Sequence, residues 1–294
     1  MQFRCFGKGL EEDVVARSMA VIGAGTMGVG IAYVFAAADW DVTIVEPDET
    51  RAVETSRELA DAAAVGMRRG VLKEAIGTRL ATDVHRVADI AALTAGLDLI
   101  IESVPERMEL KQLVLSAAEE RRPALLASNT SSLSIEELAS SLHRPEIFIG
   151  MHFFNPVWSI SLVEVVRGRA TSDDTLSAVL DIVLDIGKQS AVVIDSPGFA
   201  TSRLDLIASM EAIRMVEEGV GSPADIDRAM QVAYRHPVGP LYLSDLVGLD
   251  VRLDIARRLS VALGHRFEPP RLLIEMVAEG LLGRKTGKGF YEWN

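Results

Sequence analysis

Residues 19–38 read MAVIGAGTMGVGIAYVFAAA, twenty residues without a charge. A run of that length could span a membrane. Gly23, Gly25, Gly28 and Gly30 divide it instead into an apolar strand (19–22), a tight turn and an apolar helix. Gly23-Ala24-Gly25-Thr26-Met27-Gly28 has the G-x-G-x-x-G spacing. It follows a strand and opens a helix, the context that dinucleotide binding requires. Gly23 permits the turn. Gly25, lacking a Cβ, lets a pyrophosphate approach the backbone, and Gly28 lets helix and strand pack closely. The N–H groups at the helix start, around Thr26 and Met27, favour phosphate.

A second strand ends at Val45-Glu46-Pro47-Asp48. Glu46 comes 23 residues after Gly23, where an acid hydrogen-bonds the adenosine ribose. A carboxylate there repels a 2′-phosphate, so NAD is expected over NADP. Asp48 is the lesser candidate. Taken singly, the glycines could be a packing turn and Glu46 a solvated strand end.

Outward from this unit, short apolar runs alternate with helical patterns. Strands are expected at 42–45, 97–101, 125–128 and 147–152. Helices are expected within the Ala-, Arg- and Glu-rich stretch 48–77, and at 88–94, 108–121 and 135–142. Repeated strand and helix argue for an α/β fold, a mostly parallel Rossmann-type sheet covered on both faces. Strands at 162–166 and 191–194 flank a further helix, 175–186. Asp195-Ser196-Pro197-Gly198 is a break, and the domain boundary is placed there: a leader at 1–18, a dinucleotide-binding domain at 19–194 and an all-α domain at 195–294. Helices are expected at 200–218, 223–233, 241–263 and 270–279. The first is apolar around most of its circumference, which suits a core helix or a subunit interface.

The 294 residues suit two domains. A net charge of -12 and 5% aromatics disfavour nucleic-acid binding. The one cysteine, Cys5, rules out an internal disulfide and suits a reducing compartment such as the cytoplasm. No secretory signal is evident in 1–18, and no membrane association is expected.

The five histidines lack metal-ligand spacing, so no metal site is expected. His152 ends an apolar strand in Gly150-Met151-His152-Phe153-Phe154-Asn155-Pro156, and Glu164 lies twelve residues on, inside Leu162-Val163-Glu164-Val165-Val166. If the chain folds back between them, the carboxylate can orient the imidazole and stabilise its protonated form, giving either a general base or a structural pair. Asn129-Thr130-Ser131-Ser132 follows a strand at the carboxyl edge of the sheet, where ligands of such folds bind. It could equally cap the helix that follows.

GAGTMG, Val104-Pro105-Glu106 with Lys111, SNTSSL, GMHFFNP, LVEVV, SPGF, the Gly239-to-Asp250 stretch and the closing GRKTGKGFYEW occur in one order. Together they resemble the short-chain L-3-hydroxyacyl-CoA dehydrogenases, the 3-hydroxybutyryl-CoA enzymes among them. The resemblance implies an NAD-binding domain with a helical-hairpin insertion, a helical domain that forms a homodimer, an acyl-CoA substrate and a place in fatty acid metabolism. It makes His152 the base, Glu164 its partner, and Ser131 a hydrogen-bond donor to the substrate oxygen. Asn155 joins the substrate side. Glu106 and Lys111 would contact the nicotinamide-side ribose; without the family they read as a helix-start acid and a solvated lysine. Arg68, Arg69 and Lys73, on the insertion, would meet the coenzyme A phosphates, or form an ordinary solvated face. There is one departure. Ser202 stands where the family usually has a substrate-contacting Asn, which puts the substrate in doubt more than the fold. Related dehydrogenases of carnitine, gulonate or a carrier-bound acyl group share much of this motif set. A non-catalytic NAD-binding protein is the alternative of another class.

Overall fold

The computed structural model describes residues 17–70 and 72–293. Residues 1–16, with Cys5 and most of the expected leader, lie outside the described residues. The chain forms two compact units, the first ending at Ile194 and the second beginning at Asp195.

The first unit is built on eight strands: β1 (Ser18–Ile22), β2 (Asp41–Val45), β3 (His85–Val87), β4 (Leu99–Glu102), β5 (Leu125–Ser128), β6 (Phe148–Phe153), β7 (Leu162–Arg167) and β8 (Gln189–Ile194). Their order is β3-β2-β1-β4-β5-β6-β7-β8. All neighbours run parallel except β6 and β7. β1 leads to β2 on one side and adjoins β4 on the other. That reversal opens a crevice at the carboxyl ends of the strands.

Helix α1 (Thr26–Ala37) explains the uncharged run. Gly28 through Phe35 are all buried, which accounts for the absence of charge there. Ile31, Phe35 and Val34 pack with Val21, Ile44, Ile101 and Met151 of the sheet. Among the described residues no helix is long and apolar enough to cross a membrane. The stretch expected to be helical over 48–77 is two helices, α2 (Glu49–Arg68) and α3 (Glu74–Thr82), separated at Gly70, whose φ is +69°. α4 (Met108–Glu119) and α5 (Ile135–Ala139) pack against β4, β5 and β6, and α6 (Asp173–Asp185) against β6, β7 and β8.

Two local expectations fail. The helix expected at 88–94 is only a short turn of 3₁₀ helix, Ile90–Ala92, and the strand β3 before it was not anticipated. β3 has three residues, with His85 and Arg86 exposed at the sheet edge, so it lacks the apolar run that marks a buried strand.

The second unit holds α7 (Thr201–Glu217), α8 (Pro223–Ala233), α9 (Pro240–Val247), α10 (Leu249–Leu263) and α11 (Arg271–Ala278). The single helix expected at 241–263 is broken at Gly248, with φ +105°. On α7, Leu206, Met210, Ala212 and Ile213 are buried, whereas Leu204 is exposed. Two buried acids hold the end of the chain. Asp245 accepts from the Phe290 and Tyr291 N–H groups and from Trp293 Nε1, at 2.9–3.0 Å. Asp227 accepts from the Leu241 and Tyr242 N–H groups and from the Tyr291 hydroxyl, each at 2.8 Å. Burial and Asp227 push the Tyr291 hydroxyl above its ordinary pKa.

Candidate active site

The crevice of the first unit is a cleft of about 1050 Å³, lined by the glycine turn, Glu46, Glu106, Asn129, Ser131, His152 and Asn155, among others. Each glycine of the turn has a distinct reason to be there. Gly23 sits at φ +102°, and a Cβ on it would come within 2.8 Å of the Ser103 carbonyl oxygen. A Cβ on Gly28 would lie 1.9 Å from the Gly23 oxygen. A Cβ on Gly25 would meet nothing within 4 Å. Packing therefore demands Gly23 and Gly28, whereas Gly25 leaves open space beside the backbone. Gly25 is also the N-cap of α1, with no side-chain cap and no acid in the first turn, so the helix start suits an anion. This cradle fits a dinucleotide pyrophosphate.

Glu46 is anchored by the N–H groups of Ala24 (3.1 Å) and Asp48 (3.0 Å). Asp48, the lesser candidate, is taken up as the N-cap of α2, accepting from the Thr50 and Arg51 N–H groups. Arg51 also lines the cleft, and sequence reasoning missed it. Its Nε donates to the Ala24 carbonyl at 2.7 Å, and its guanidinium grips Glu58, holding that carboxyl below its ordinary pKa.

His152 and Glu164 face each other directly, because β6 and β7 are antiparallel and pair them in register. His152 Nδ1 lies 3.0 Å from Glu164 Oε2. His152 is 7% exposed and Glu164 is fully buried. A carboxylate only accepts, so Nδ1 carries the proton and Nε2 is the nitrogen that can take one from a ligand. Phe154 packs on the imidazole, with ring centroids 4.3 Å apart.

The loop after β5 is tied to Glu106. Its Oε1 accepts from Thr130 Oγ1 (2.6 Å), the Ser131 N–H (3.0 Å), the Ser132 N–H (3.1 Å) and Ser132 Oγ (3.0 Å), with Ser131 Oγ at 3.4 Å. The capping role considered for this loop falls to Ser134, which accepts from the Glu137 N–H at the start of α5. Ser131 is exposed and lines the cleft. Lys111 does not line it. It is 1% exposed, with Nζ 2.7 Å from Glu102 Oε1 and 3.3 Å from Glu106 Oε2. The solvated-lysine reading is thus wrong for this residue, and its reach is to Glu106 rather than into the cleft. Burial by itself would raise the Glu106 pKa, but Lys111 and the loop donors outweigh it and hold the carboxyl below its ordinary value.

Asn129, which the sequence placed at the carboxyl edge of the sheet without a role of its own, connects two walls. Its Oδ1 accepts from the Phe153 N–H at 2.9 Å, and its Nδ2 donates to Ser103 Oγ at 3.3 Å.

The remaining candidates lie elsewhere. Arg68, Arg69 and Lys73 are exposed at the end of α2 and the start of α3. Arg69 lines a separate cleft of about 630 Å³ with Trp158, Ser159, Ser161 and Lys188; Arg68 and Lys73 do not. Lys188, 7% exposed, donates to the Val157 and Ile160 carbonyls at 2.6 Å each, and burial lowers its pKa. Ser202 is half-buried in the first turn of α7, in the second unit. No group of three or more His, Cys, Asp or Glu side chains gathers as a metal site among the described residues.

Comparison with known proteins agrees with this geometry. Residues 18–196 match the family described as "3-hydroxyacyl-CoA dehydrogenase, NAD binding domain", and residues 198–293 match "3-hydroxyacyl-CoA dehydrogenase, C-terminal domain". A 3-hydroxybutyryl-CoA dehydrogenase of Bradyrhizobium diazoefficiens is 39% identical over 282 residues, 95% of this chain and 96% of that relative. The human mitochondrial hydroxyacyl-coenzyme A dehydrogenase is 33% identical, covering 96% and 93%. Among solved structures, the (S)-3-hydroxybutyryl-CoA dehydrogenase of Ralstonia eutropha superposes with a TM-score of 0.90 at 36% identity, covering 95% of this chain and 99% of that one. An NAD-binding cleft in a parallel sheet, a following helical unit and matches to both family domains identify this chain as a member of the 3-hydroxyacyl-CoA dehydrogenase family, NAD-dependent oxidoreductases.

Proposed function

We propose that the chain interconverts a short (S)-3-hydroxyacyl-CoA, 3-hydroxybutyryl-CoA first among them, and its 3-keto form. One observation carries this reading. The buried His152–Glu164 pair opens onto the same cleft as Ser131 and the glycine turn. In oxidation, His152 Nε2 takes the substrate hydroxyl proton. Glu164 keeps Nδ1–H in place and stabilises the imidazolium that results. Ser131 hydrogen-bonds the substrate oxygen. NAD, when bound, supplies the hydride acceptor; the α1 start and Gly25 would hold its pyrophosphate, and Glu46 its adenosine ribose. In reduction His152 returns the proton to the oxygen. Relatives named for 3-hydroxybutyryl-CoA, at 38–40% identity, support the short chain length.

The test is NADH formation from 3-hydroxybutyryl-CoA, a dicarboxylic 3-hydroxyacyl-CoA, carnitine and gulonate in parallel. Turnover of the CoA esters is expected, and activity restricted to the free acids would overturn the reading. Arg69, with Arg68 and Lys73 nearby, supplies cations for the coenzyme A phosphates. Replacing all three with Ala should raise KM for a CoA ester more than for a pantetheine ester; equal effects would remove them from the substrate site. Ser202 is assigned to acyl recognition, where serine bonds a ligand but reaches less far than asparagine. Ser202→Asn should reorder relative kcat/KM across acyl chain lengths, and an unchanged ranking would refute that role. A homodimer and a cytoplasmic location complete the proposal. Sedimentation and cell fractionation test them.

A further inference from the structure

Two opposite signals meet in the cleft at the carboxyl end of β2. Glu46 is the acid expected of an NAD site, yet Arg51 stands beside it, the one Arg or Lys among the described residues that line the cleft. An arginine in that place is what accommodates the 2′-phosphate of NADP. The two side chains flank one residue of the glycine turn. Glu46 Oε2 accepts from the Ala24 N–H at 3.1 Å, and Arg51 Nε donates to the Ala24 carbonyl at 2.7 Å.

Helix α2 decides between the signals. Arg51, Glu54 and Glu58 stand at i, i+3 and i+7, along one face of it. Arg51 Nη1 donates to Glu58 Oε1 at 2.7 Å and to Glu54 Oε2 at 3.2 Å, and Nη2 donates to Glu58 Oε2 at 2.8 Å. With the bond to Ala24, four of the five guanidinium N–H groups are committed. The fork that grips a phosphate in two places is closed on Glu58 instead. Glu58 is exposed and lies outside the cleft lining. We propose that Glu58 is a positioning residue that determines cofactor specificity: by clamping Arg51 it denies a 2′-phosphate its cation and makes the site select NAD over NADP. Glu46 repels that phosphate, and the clamp withholds the group that could offset the repulsion. This rests on the proposed reading that the adenosine ribose lies at Glu46.

Calorimetric titration of the purified full chain with NAD+ and with NADP+, without substrate, tests this. Glu58→Ala opens the fork, and the exposed position leaves the core intact. The NADP+ Kd should fall about three- to tenfold, between the worth of an exposed ion pair and that of a charge-assisted hydrogen bond, while the NAD+ Kd changes by less than about twofold. In an Arg51→Met background the same Glu58→Ala change should bring no gain, because the freed cation is missing. An unchanged NADP+ Kd in Glu58→Ala would overturn the proposal. So would equal tightening of both cofactors, or a gain that survives in Arg51→Met, since either result reports only the loss of a negative charge. Glu46→Ala tests the underlying reading by itself. It should weaken NAD+ binding, and unaltered NAD+ affinity would remove the ribose assignment and the clamp together. Weakened NAD+ binding in Glu46→Ala with no NADP+ gain in Glu58→Ala would remove the clamp alone.

Discussion

Gly25 and Gly28 separate what the fold requires from what a ligand requires. Gly28→Ala drives a Cβ into the Gly23 carbonyl, a backbone atom that cannot rotate away. We expect a loss of about 1–3 kcal/mol or more, read as a fall in thermal midpoint. Gly25→Ala meets no protein atom and should leave the midpoint nearly unchanged while weakening NAD binding in titration. Equal midpoints for the two variants would contradict this division. Both glycines were legible from spacing alone. Lys111 was not. On the sequence it sits in a helix among polar neighbours, and nothing local says that the chain will bury it. The missing signal was Glu102, an acid closing the otherwise apolar strand Leu99–Glu102. The lowered pKa of Glu106 has a signed consequence. Its contribution to stability is present in full above the unfolded carboxylate's pKa. It is lost as pH falls through the lowered folded value. The stability advantage of the wild type over Glu106→Gln should therefore shrink below the ordinary carboxylate range, as urea denaturation at successive pH values would show. An advantage that grows on acidification would contradict it.

Among the elements, the reversal from β6 to β7 matters most, because it turns a twelve-residue separation into a direct cross-strand pair. The sequence displayed both strands and both residues, and only the direction of the fold-back had to be supplied. β3 and the break at Gly248 were hidden for different reasons. A three-residue edge strand needs no apolar pattern. A glycine between two helical patterns is also tolerated inside one helix, so periodicity alone does not reveal the break. The loop leaving β6 depends on Lys188, which binds its carbonyls at Val157 and Ile160. Lys188→Met strips both bonds and leaves those acceptors unpaired. We expect a loss of about 1–3 kcal/mol in chemical denaturation. A variant as stable as wild type would show that the loop holds itself.

For the whole molecule, the acidic balance and the phosphate-bearing ligands are reconciled by locality. The net charge is -12, yet the cofactor cradle is an uncapped helix start and the candidate cations of the insertion are few. Long-range steering of anions is not expected from such a surface, so the association rate for NAD should be unchanged or slightly raised by added salt. Strong inhibition by salt in stopped-flow binding would contradict it. The Rossmann-type architecture was legible because a parallel sheet buried on both faces forces continuous apolar runs. The second unit was legible only as helices, since its arrangement rests on buried acids such as Asp227 and Asp245 that sequence shows only as charges. The central claim is that the His152–Glu164 pair in the cofactor cleft does the proton chemistry. The most direct measurement compares His152→Ala with wild type on 3-hydroxybutyryl-CoA, reading kcat by NADH absorbance and NAD+ affinity by titration. A fall in kcat of about 10²–10⁴ with NAD+ affinity retained is the expected result, and full turnover without the imidazole would contradict it.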